Sequence, residues 1–96
     1  MSECRVTIGW PEGLHARPAA VFVRAAAACG VPGVTVAKPG GEPVSAASML
    51  GVLGLAAMGG EEVVLAVDAE GPEPAAALAR LAKLVQEGLD ELPAAG

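Results

Sequence analysis

The strongest structural signal in the sequence is an uninterrupted apolar run, Val63-Val64-Leu65-Ala66-Val67. A short continuous run of this kind is typical of a β-strand that lies at the centre of a sheet. We therefore predict a strand from Glu62 to Asp68 that occupies a central position and is covered on one side. The other elements are placed around it.

Turn residues and apolar periodicity predict six further elements. The first segment alternates polar and apolar residues, with Val6, Ile8 and Trp10 on one side, as a half-buried strand does. In chain order we expect a strand over Arg5–Trp10, a helix over Ala16–Cys29, a strand over Val34–Lys38, a returning edge strand around Pro43–Val44, a short helix over Met49–Ala56, the central strand, and a helix that begins near Pro72 and Pro74 and ends at Gly88. This order predicts an α+β fold, an open-faced sandwich in which a four-stranded antiparallel sheet is covered on one face by three helices.

Local signals refine the first helix and the end of the chain. Ala20, Val23 and Ala27 form one apolar stripe along the first helix. Residues 89–96, which follow the last helix, are expected to form a loose tail.

The short helix has its own boundary signals. Ser45 and Ser48 are both candidate N-caps, because a serine hydroxyl accepts a hydrogen bond from the free N–H groups of a first turn. Two consecutive glycines, Gly59 and Gly60, are expected to close this segment.

Length and composition limit the size of the core. With 96 residues, the chain is predicted to be a single domain over residues 1–96. Apolar residues make up 53% of it, but many of these are alanine, so valine, leucine, isoleucine, methionine, Phe22 and Trp10 have to build the core. Such a core is thin, and small packing defects should be costly.

Charge and hydropathy exclude two classes of partner. A net charge of -5 opposes binding to a phosphate backbone, and 2% aromatic residues leave no platform for stacked bases, so we expect no nucleic acid partner. The apolar stretch 46–60 is interrupted by glycine and is shorter than the roughly 20 residues of a bilayer span, so we expect no membrane insertion. The first residues lack a basic start followed by an apolar run, which favours a cytoplasmic location.

The two cysteines do not indicate a metal site. Cys4 and Cys29 lack CxxC spacing, and the chain has one histidine to offer as a further ligand. We interpret both cysteines as small apolar residues that stay reduced. We therefore expect neither a metal nor another cofactor.

The single histidine lies where a glycine turn leads into the first helix, in the segment Gly13-Leu14-His15-Ala16-Arg17-Pro18-Ala19-Ala20. His15 is predicted to be the N-cap or its neighbour, at the positive end of the helix dipole. Imidazole, with an ordinary pKa of about 6.5, is largely neutral and nucleophilic near pH 7. Ala16 and Arg17 can offer backbone N–H groups to a phosphoryl group, and Arg17 can add its guanidinium. These residues favour a histidine that carries phosphate.

The segment Gly13–Ala20 resembles the active-site signature of the HPr family, the histidine-containing phosphocarriers of bacterial sugar phosphotransferase systems. A second stretch, residues 44–55, resembles the segment that carries the regulatory serine of that family. The predicted order of strands and helices also matches the HPr fold, so the resemblance covers essentially the whole chain.

The resemblance implies a role for each matching residue. His15 would take phosphate on Nδ1 from phosphorylated Enzyme I and pass it to the IIA domain of a sugar permease, and Arg17 would steady the phosphoryl group. Ser48 falls on the serine that a dedicated kinase modifies in some members. The residues that match the partner-docking surface are Arg17, Ala20, Arg24, Met49, Leu50 and Leu53. A carrier of this kind is a cosubstrate, so the term enzyme applies only loosely, and transient handover favours a monomer.

Two departures and two alternatives remain open at this stage. Glu12 stands where many members have a small polar residue, and a carboxylate there should repel a phosphohistidine unless it turns away. The residues before Ser48 lack a lysine that is often found there, so Ser48 can equally be a plain helix N-cap. One alternative function is an HPr-like regulatory module that contacts a transcription factor or an enzyme without passing phosphate on. The other is a small-molecule-binding domain, which would need a pocket between sheet and helices.

Overall fold

The computed structural model describes residues 1–93, and the elements within them follow the predicted order. They are β1 (Ser2–Thr7), α1 (Ala16–Ala28), β2 (Thr35–Ala37), β3 (Val44–Ser45), α2 (Met49–Gly54), β4 (Glu62–Val67) and α3 (Pro72–Glu87). The strands form one sheet in the order β1-β4-β2-β3, and each neighbouring pair is antiparallel. The predicted α+β open-faced sandwich is confirmed.

Strand β4 lies at the centre of the sheet, as predicted. It pairs with β1 on one side and with β2 on the other. Val63, Leu65 and Val67 are buried on the face that the helices cover, whereas Val64 and Ala66 are half-buried on the open face. The continuous apolar run therefore supplies one face to the core and one to the uncovered side of the sheet.

Strand β1 is displaced toward the N-terminus relative to the predicted strand. It begins at Ser2 because its register on β4 pairs Ser2 with Val67, and it ends at Thr7, opposite Glu62. Ile8 still pairs with the chain just before β4, because its N–H donates to the Glu61 carbonyl over 2.9 Å. The next N–H, that of Gly9, donates instead to the Val85 carbonyl at the end of α3 over 2.8 Å. Ile8 and Trp10 are still buried as predicted, but they are outside the strand.

The predicted apolar stripe of α1 is wrong. Ala20 and Val23 are half-buried and Ala27 is exposed, whereas the residues one position earlier face the core. The buried residues of this helix are Pro18, Ala19, Val21, Phe22, Ala25 and Ala26. One residue corresponds to a rotation of about 100° around a helix. Because alanine occurs on several faces of α1, these faces differ little in hydrophobicity. The burial of the one large side chain, Phe22, therefore sets which face of the helix turns to the core.

Helix α2 ends earlier than predicted, and a left-handed alanine follows it where the sequence predicted that a glycine pair would end it. Leu55 is its C-cap, and Ala56 follows with φ of 52°, in the left-handed region. The chain has therefore left the helix before it reaches Gly59 and Gly60. At most sites of this kind glycine occupies the left-handed position, because a Cβ there is strained.

Replacing Ala56 with glycine should relieve this strain. The left-handed conformation costs a non-glycine residue about 1–2 kcal/mol, and the greater freedom of glycine in the unfolded chain offsets part of the gain. We expect Ala56→Gly to raise the free energy of unfolding by about 0.5–1 kcal/mol, measured by urea denaturation. The control is Ala79→Gly in α3, at an exposed helical position, which should lower stability by about 1 kcal/mol. A loss of stability in both variants would contradict this reading of Ala56.

The segment after α3 is packed, not loose. Gly88 ends the helix as predicted, and Leu89 and Leu92 are partly buried against the core. The Arg80 Nε donates a hydrogen bond of 3.0 Å to the Pro93 carbonyl, which ties this segment back to α3. The prediction of a loose tail is therefore wrong for residues 89–93, and its remainder, 94–96, lies outside the described residues.

The core is built from aliphatic residues and alanine around Phe22 and Trp10. The largest fully buried side chains are Phe22, Ile8, Leu14, Leu65, Leu78, Leu81, Leu84, Val36, Val52, Val63 and Val85. Of the methionines that were expected in the core, Met49 is half-buried and packs against it, whereas Met1 and Met58 are exposed. Leu14 directly precedes His15, so the core extends to the base of the candidate site.

Candidate functional site

His15 is the N-cap of α1, as predicted, and it is exposed. Two contacts hold the preceding turn in place. The N–H of buried Leu14 donates to the Ala57 carbonyl over 2.9 Å, and Gly13 adopts φ of 74° against the same segment. A Cβ at Gly13 would collide with the Ala57 carbonyl oxygen and lie 2.6 Å from the Met58 Cα. The turn that presents His15 therefore depends on the glycine at position 13.

The first turn of α1 leaves backbone donors free for an anion. The His15 side chain makes no capping hydrogen bond, and the first turn holds no acidic residue. The first intrahelical bond runs from the Ala19 N–H to the His15 carbonyl over 3.2 Å, so the N–H groups of Ala16 and Arg17 precede it. These donors lie at the positive end of a 13-residue helix. The arrangement favours a negatively charged group beside the imidazole.

The residue after the histidine has an unusual backbone. Ala16 has φ of 30°, although α1 begins at this residue. A non-glycine residue in this region stores about 1–3 kcal/mol of strain, and such residues occur preferentially at functional sites. No residue type in the sequence indicates this conformation, because alanine normally favours a regular helix.

Arg17 is exposed and forms an ion pair that the sequence did not predict. Its Nη2 lies 3.9 Å from Oδ1 of Asp90, and both side chains are about four-fifths exposed. Asp90 belongs to the packed segment after α3, so its approach depends on the chain's return to the start of α1. The Asp90 carboxylate therefore lies beside the Arg17 guanidinium in this structure.

Glu12 lies on the same side as this ion pair. A notch of about 220 Å³ is lined by Trp10, Glu12, Arg17, Pro18, Val21 and Asp90, and His15 is absent from this lining. Glu12 therefore lies in the same notch as Arg17 and Asp90.

The candidate docking residues differ in exposure. Leu50 is 85% exposed and Leu53 36%. Arg24 is exposed, whereas Ala20 and Met49 are half-buried. These residues lie on α1 and α2, which pack against each other. We call Leu50 and Leu53, together with Ala20, Arg24 and Met49 of the same two helices, the α1–α2 patch.

Met58 is a further exposed apolar residue near the turn before His15, and sequence reasoning did not single it out. Its side chain is 61% exposed, and its backbone lies against Gly13. A single methionine in a glycine-containing loop matches no sequence pattern that indicates a functional residue. Its proximity to the site follows from the contact between the two loops.

Ser48 is the N-cap of α2. Its Oγ accepts a hydrogen bond of 3.1 Å from the Gly51 N–H. Ser45, the other candidate, instead accepts from the Ala47 N–H with its Oγ, outside the helix. Ser48 therefore has a structural role, and it directly precedes Met49 and Leu50 of the α1–α2 patch.

Neither cysteine takes part in this site. Cys29 is buried, Cys4 is half-buried, and both are free thiols. Within residues 1–93, no group of three or more histidine, cysteine, aspartate or glutamate side chains is arranged to hold a metal ion. Over the same residues, no helix has the length and apolarity needed to cross a membrane.

Comparison with known proteins agrees with this geometry. Residues 2–87 match the family described as the PTS HPr component phosphorylation site. The chain is 72% identical over 93 residues to the phosphocarrier protein HPr of Streptomyces coelicolor, covering 97% of each protein. Among solved structures, HPr of Bacillus anthracis aligns with a TM-score of 0.77 and 34% identity over 88% of this chain and 96% of that one. HPr-C-His of Thermoanaerobacter tengcongensis aligns with a TM-score of 0.77 and 33% identity over 93% and 98%.

The open-faced α+β sandwich of this chain is the fold of the solved HPr structures that align with it. With the family match over residues 2–87, the chain belongs to the HPr family of phosphocarrier proteins of the phosphotransferase system.

Proposed function

We propose that His15 accepts a phosphoryl group on Nδ1 from phosphorylated Enzyme I and donates it to the IIA domain of a sugar permease. In the first transfer the bond between phosphorus and the donor breaks as the bond to Nδ1 forms, and the second transfer reverses this at His15. The observation that carries the proposal is an exposed imidazole at the N-cap of α1 that makes no capping hydrogen bond. The ring is accessible to a partner and lies beside the positive end of the helix.

Arg17 and the first-turn amides supply the charge compensation in this proposal. Phosphoryl transfer requires mainly placement and electrostatic stabilisation from the protein. The Ala16 and Arg17 N–H groups offer donors to the phosphoryl oxygens, and the Arg17 guanidinium adds a charge-assisted bond. Pro18 follows in the first turn, where its missing N–H costs nothing and its fixed φ stiffens the backbone.

The α1–α2 patch is the surface on which we propose that both partners dock. Leu50 and Leu53 present apolar area, and Arg24 adds a positive charge. A small apolar patch of this kind suits a transient complex, in which one partner must leave before the next one binds. Sequential use of a single patch favours action as a monomer, in the cytoplasm where the proposed partners meet.

Asp90 competes with the phosphoryl group for Arg17 in this proposal. Because the pair is exposed, its strength is modest and depends on salt. We expect Asp90→Asn to raise the rate of His15 phosphorylation at low ionic strength by about twofold to fivefold, and the gain to vanish in 1 M salt. Glu91→Gln removes a neighbouring exposed carboxylate and serves as control. Equal acceleration in both variants would show that only net charge matters.

Ser48 is proposed as a regulatory position because of its place beside the α1–α2 patch. Aspartate is also a good N-cap, so Ser48→Asp retains the capping bond and adds only charge. We expect this variant to raise the KM of Enzyme I for the protein by about tenfold, since a charge beside an apolar patch disfavours docking. Ser48→Asn introduces a neutral N-cap of the same shape as aspartate, so its KM should equal that of the wild type. An unchanged KM for Ser48→Asp would remove the regulatory role and leave Ser48 as a structural cap.

The deciding experiment for the carrier proposal is a reconstituted transfer assay. The protein is incubated with Enzyme I and phosphoenolpyruvate, and a IIA domain is then added. The proposal requires one acid-labile phosphoryl group per chain, followed by its loss to the IIA domain. A regulatory binding module would bind partners in this assay without passing phosphate on.

A further inference from the structure

Two loops that pack against each other and are joined by backbone hydrogen bonds hold the turn before His15; we call them the interlocked loops. One, residues 8–14, carries the chain from β1 to the histidine, and the other, residues 56–61, joins α2 to β4. Four backbone hydrogen bonds hold the second loop and join it to the first. They are Leu14 N–H to Ala57 O at 2.9 Å, Gly60 N–H to Ile8 O at 2.9 Å, Ile8 N–H to Glu61 O at 2.9 Å, and Glu61 N–H to Met58 O at 3.1 Å. The turn before His15 therefore takes its position from the α2–β4 loop.

Gly59 is the residue of that loop that permits this close approach. A Cβ at this position would lie 2.6 Å from the carbonyl oxygens of both Trp10 and Pro11, which are backbone atoms that cannot rotate away. The φ of Gly59 is not in the left-handed region, so the requirement at this position is for space. Any larger residue has to push the two loops apart.

Glu61 fixes the shape of the same loop. Its Oε2 accepts a hydrogen bond of 2.7 Å from the Met58 N–H, and its Oε1 lies 3.5 Å from the Lys38 ammonium group. The carboxylate thus closes the turn that holds Gly59 against Pro11. It is partly exposed, so its removal creates no steric conflict.

We infer that Gly59 and Glu61 are positioning residues for His15, which act through the interlocked loops and touch neither the histidine nor its phosphoryl group. The inference rests on the proposed phosphocarrier function and extends it to the α2–β4 loop. Because this loop directly follows α2, it also fixes His15 relative to the α1–α2 patch. A docked partner would then meet the imidazole at a set distance.

Gly59→Ala is the first test. A displacement of about 1 Å at a reacting group costs about 100-fold in rate, so we expect the kcat of Enzyme I with this acceptor to fall about 10- to 100-fold. The KM should change by less than about twofold, because the α1–α2 patch itself is intact. The His15 ring resonances in NMR spectra should shift as well. Val31→Ala is the stability control, since it truncates a core residue beyond the far end of α1, and it should leave kcat and the ring resonances unchanged.

Glu61→Ala is the second test, and it alone tests the positioning role of the α2–β4 loop if Gly59→Ala does not fold. Loss of one charge-assisted hydrogen bond should lower kcat about threefold to tenfold. Glu61→Gln keeps an acceptor for the Met58 N–H and should restore most of the rate. Glu62→Ala is the matched control, because it removes a neighbouring carboxylate whose ion pair, with Arg5 at 3.7 Å, lies on the sheet.

The outcomes separate this inference from the proposed function. If the wild-type chain accepts no phosphate from Enzyme I, the carrier function itself fails. If the wild type is phosphorylated while Gly59→Ala and Glu61→Ala keep the kcat of their controls, the positioning role is overturned. A fall in kcat that Glu61→Gln does not restore also overturns the role of the Met58 hydrogen bond.

Discussion

Replacing His15 with alanine should abolish phosphorylation of the chain by Enzyme I. The imidazole is the proposed nucleophile, and removing a covalent nucleophile should lower the rate by more than about 1,000-fold. The fold should be retained, because the side chain is exposed and makes no capping hydrogen bond, so the free energy of unfolding should change by less than about 0.5 kcal/mol. Labelling with radioactive phosphoenolpyruvate and urea denaturation measure the two quantities.

A competition experiment distinguishes the loss of phosphoryl acceptance from the loss of binding to Enzyme I. His15→Ala retains the α1–α2 patch, so it should inhibit phosphorylation of the wild-type chain by competing for Enzyme I. A variant that is neither labelled nor inhibitory would have lost docking as well as chemistry. Labelling of His15→Ala at the wild-type rate would show that phosphate resides on another residue.

Replacing Arg17 with glutamine should also slow phosphoryl transfer strongly. A charge-assisted hydrogen bond to the phosphoryl group contributes about 1.5–3 kcal/mol, so we expect the kcat for transfer to fall about 10- to 100-fold. Stability should not fall, because the ion pair with Asp90 is exposed and a cation near a helix N-terminus is slightly unfavourable. Measurement of kcat and of the free energy of unfolding on the same sample tests both statements.

Two further variants define what Arg17 contributes. Arg17→Lys keeps the charge but loses the planar fork, so its rate should lie between those of the wild type and Arg17→Gln. Lys83→Gln removes a cation from an exposed position on α3 and should leave the rate unchanged. If Lys83→Gln lowers kcat as much as Arg17→Gln does, Arg17 contributes only to the net charge.

The sequence predicts the parts of the fold that depend on local chemistry. The continuous apolarity of residues 63–67 correctly places β4 at the sheet centre. The glycine turn before the first helix correctly places His15 at the N-cap of α1, and Gly88 correctly ends α3. In each case the deciding residues are close together in the chain, and their conformational preferences agree with the final structure.

The features that the sequence did not predict depend on a difference in hydrophobicity between helix faces that is too small to recognise, or on contacts between residues far apart in the chain. Alanine covers several faces of α1, so periodicity could not identify the buried one. The left-handed conformations of Ala16 and Ala56 oppose the ordinary preference of alanine, and tertiary contacts override it. Asp90 approaches Arg17 from the opposite end of the chain, which no local pattern indicates.

Phosphorus NMR of the chain after incubation with Enzyme I and phosphoenolpyruvate tests the carrier role of His15 most directly. We expect one new phosphohistidine resonance, assigned to Nδ1 and lost on acidification or on addition of a IIA domain. A resonance from an acid-stable phosphoserine, or no new resonance at all, would contradict the assignment of His15 as the phosphate carrier.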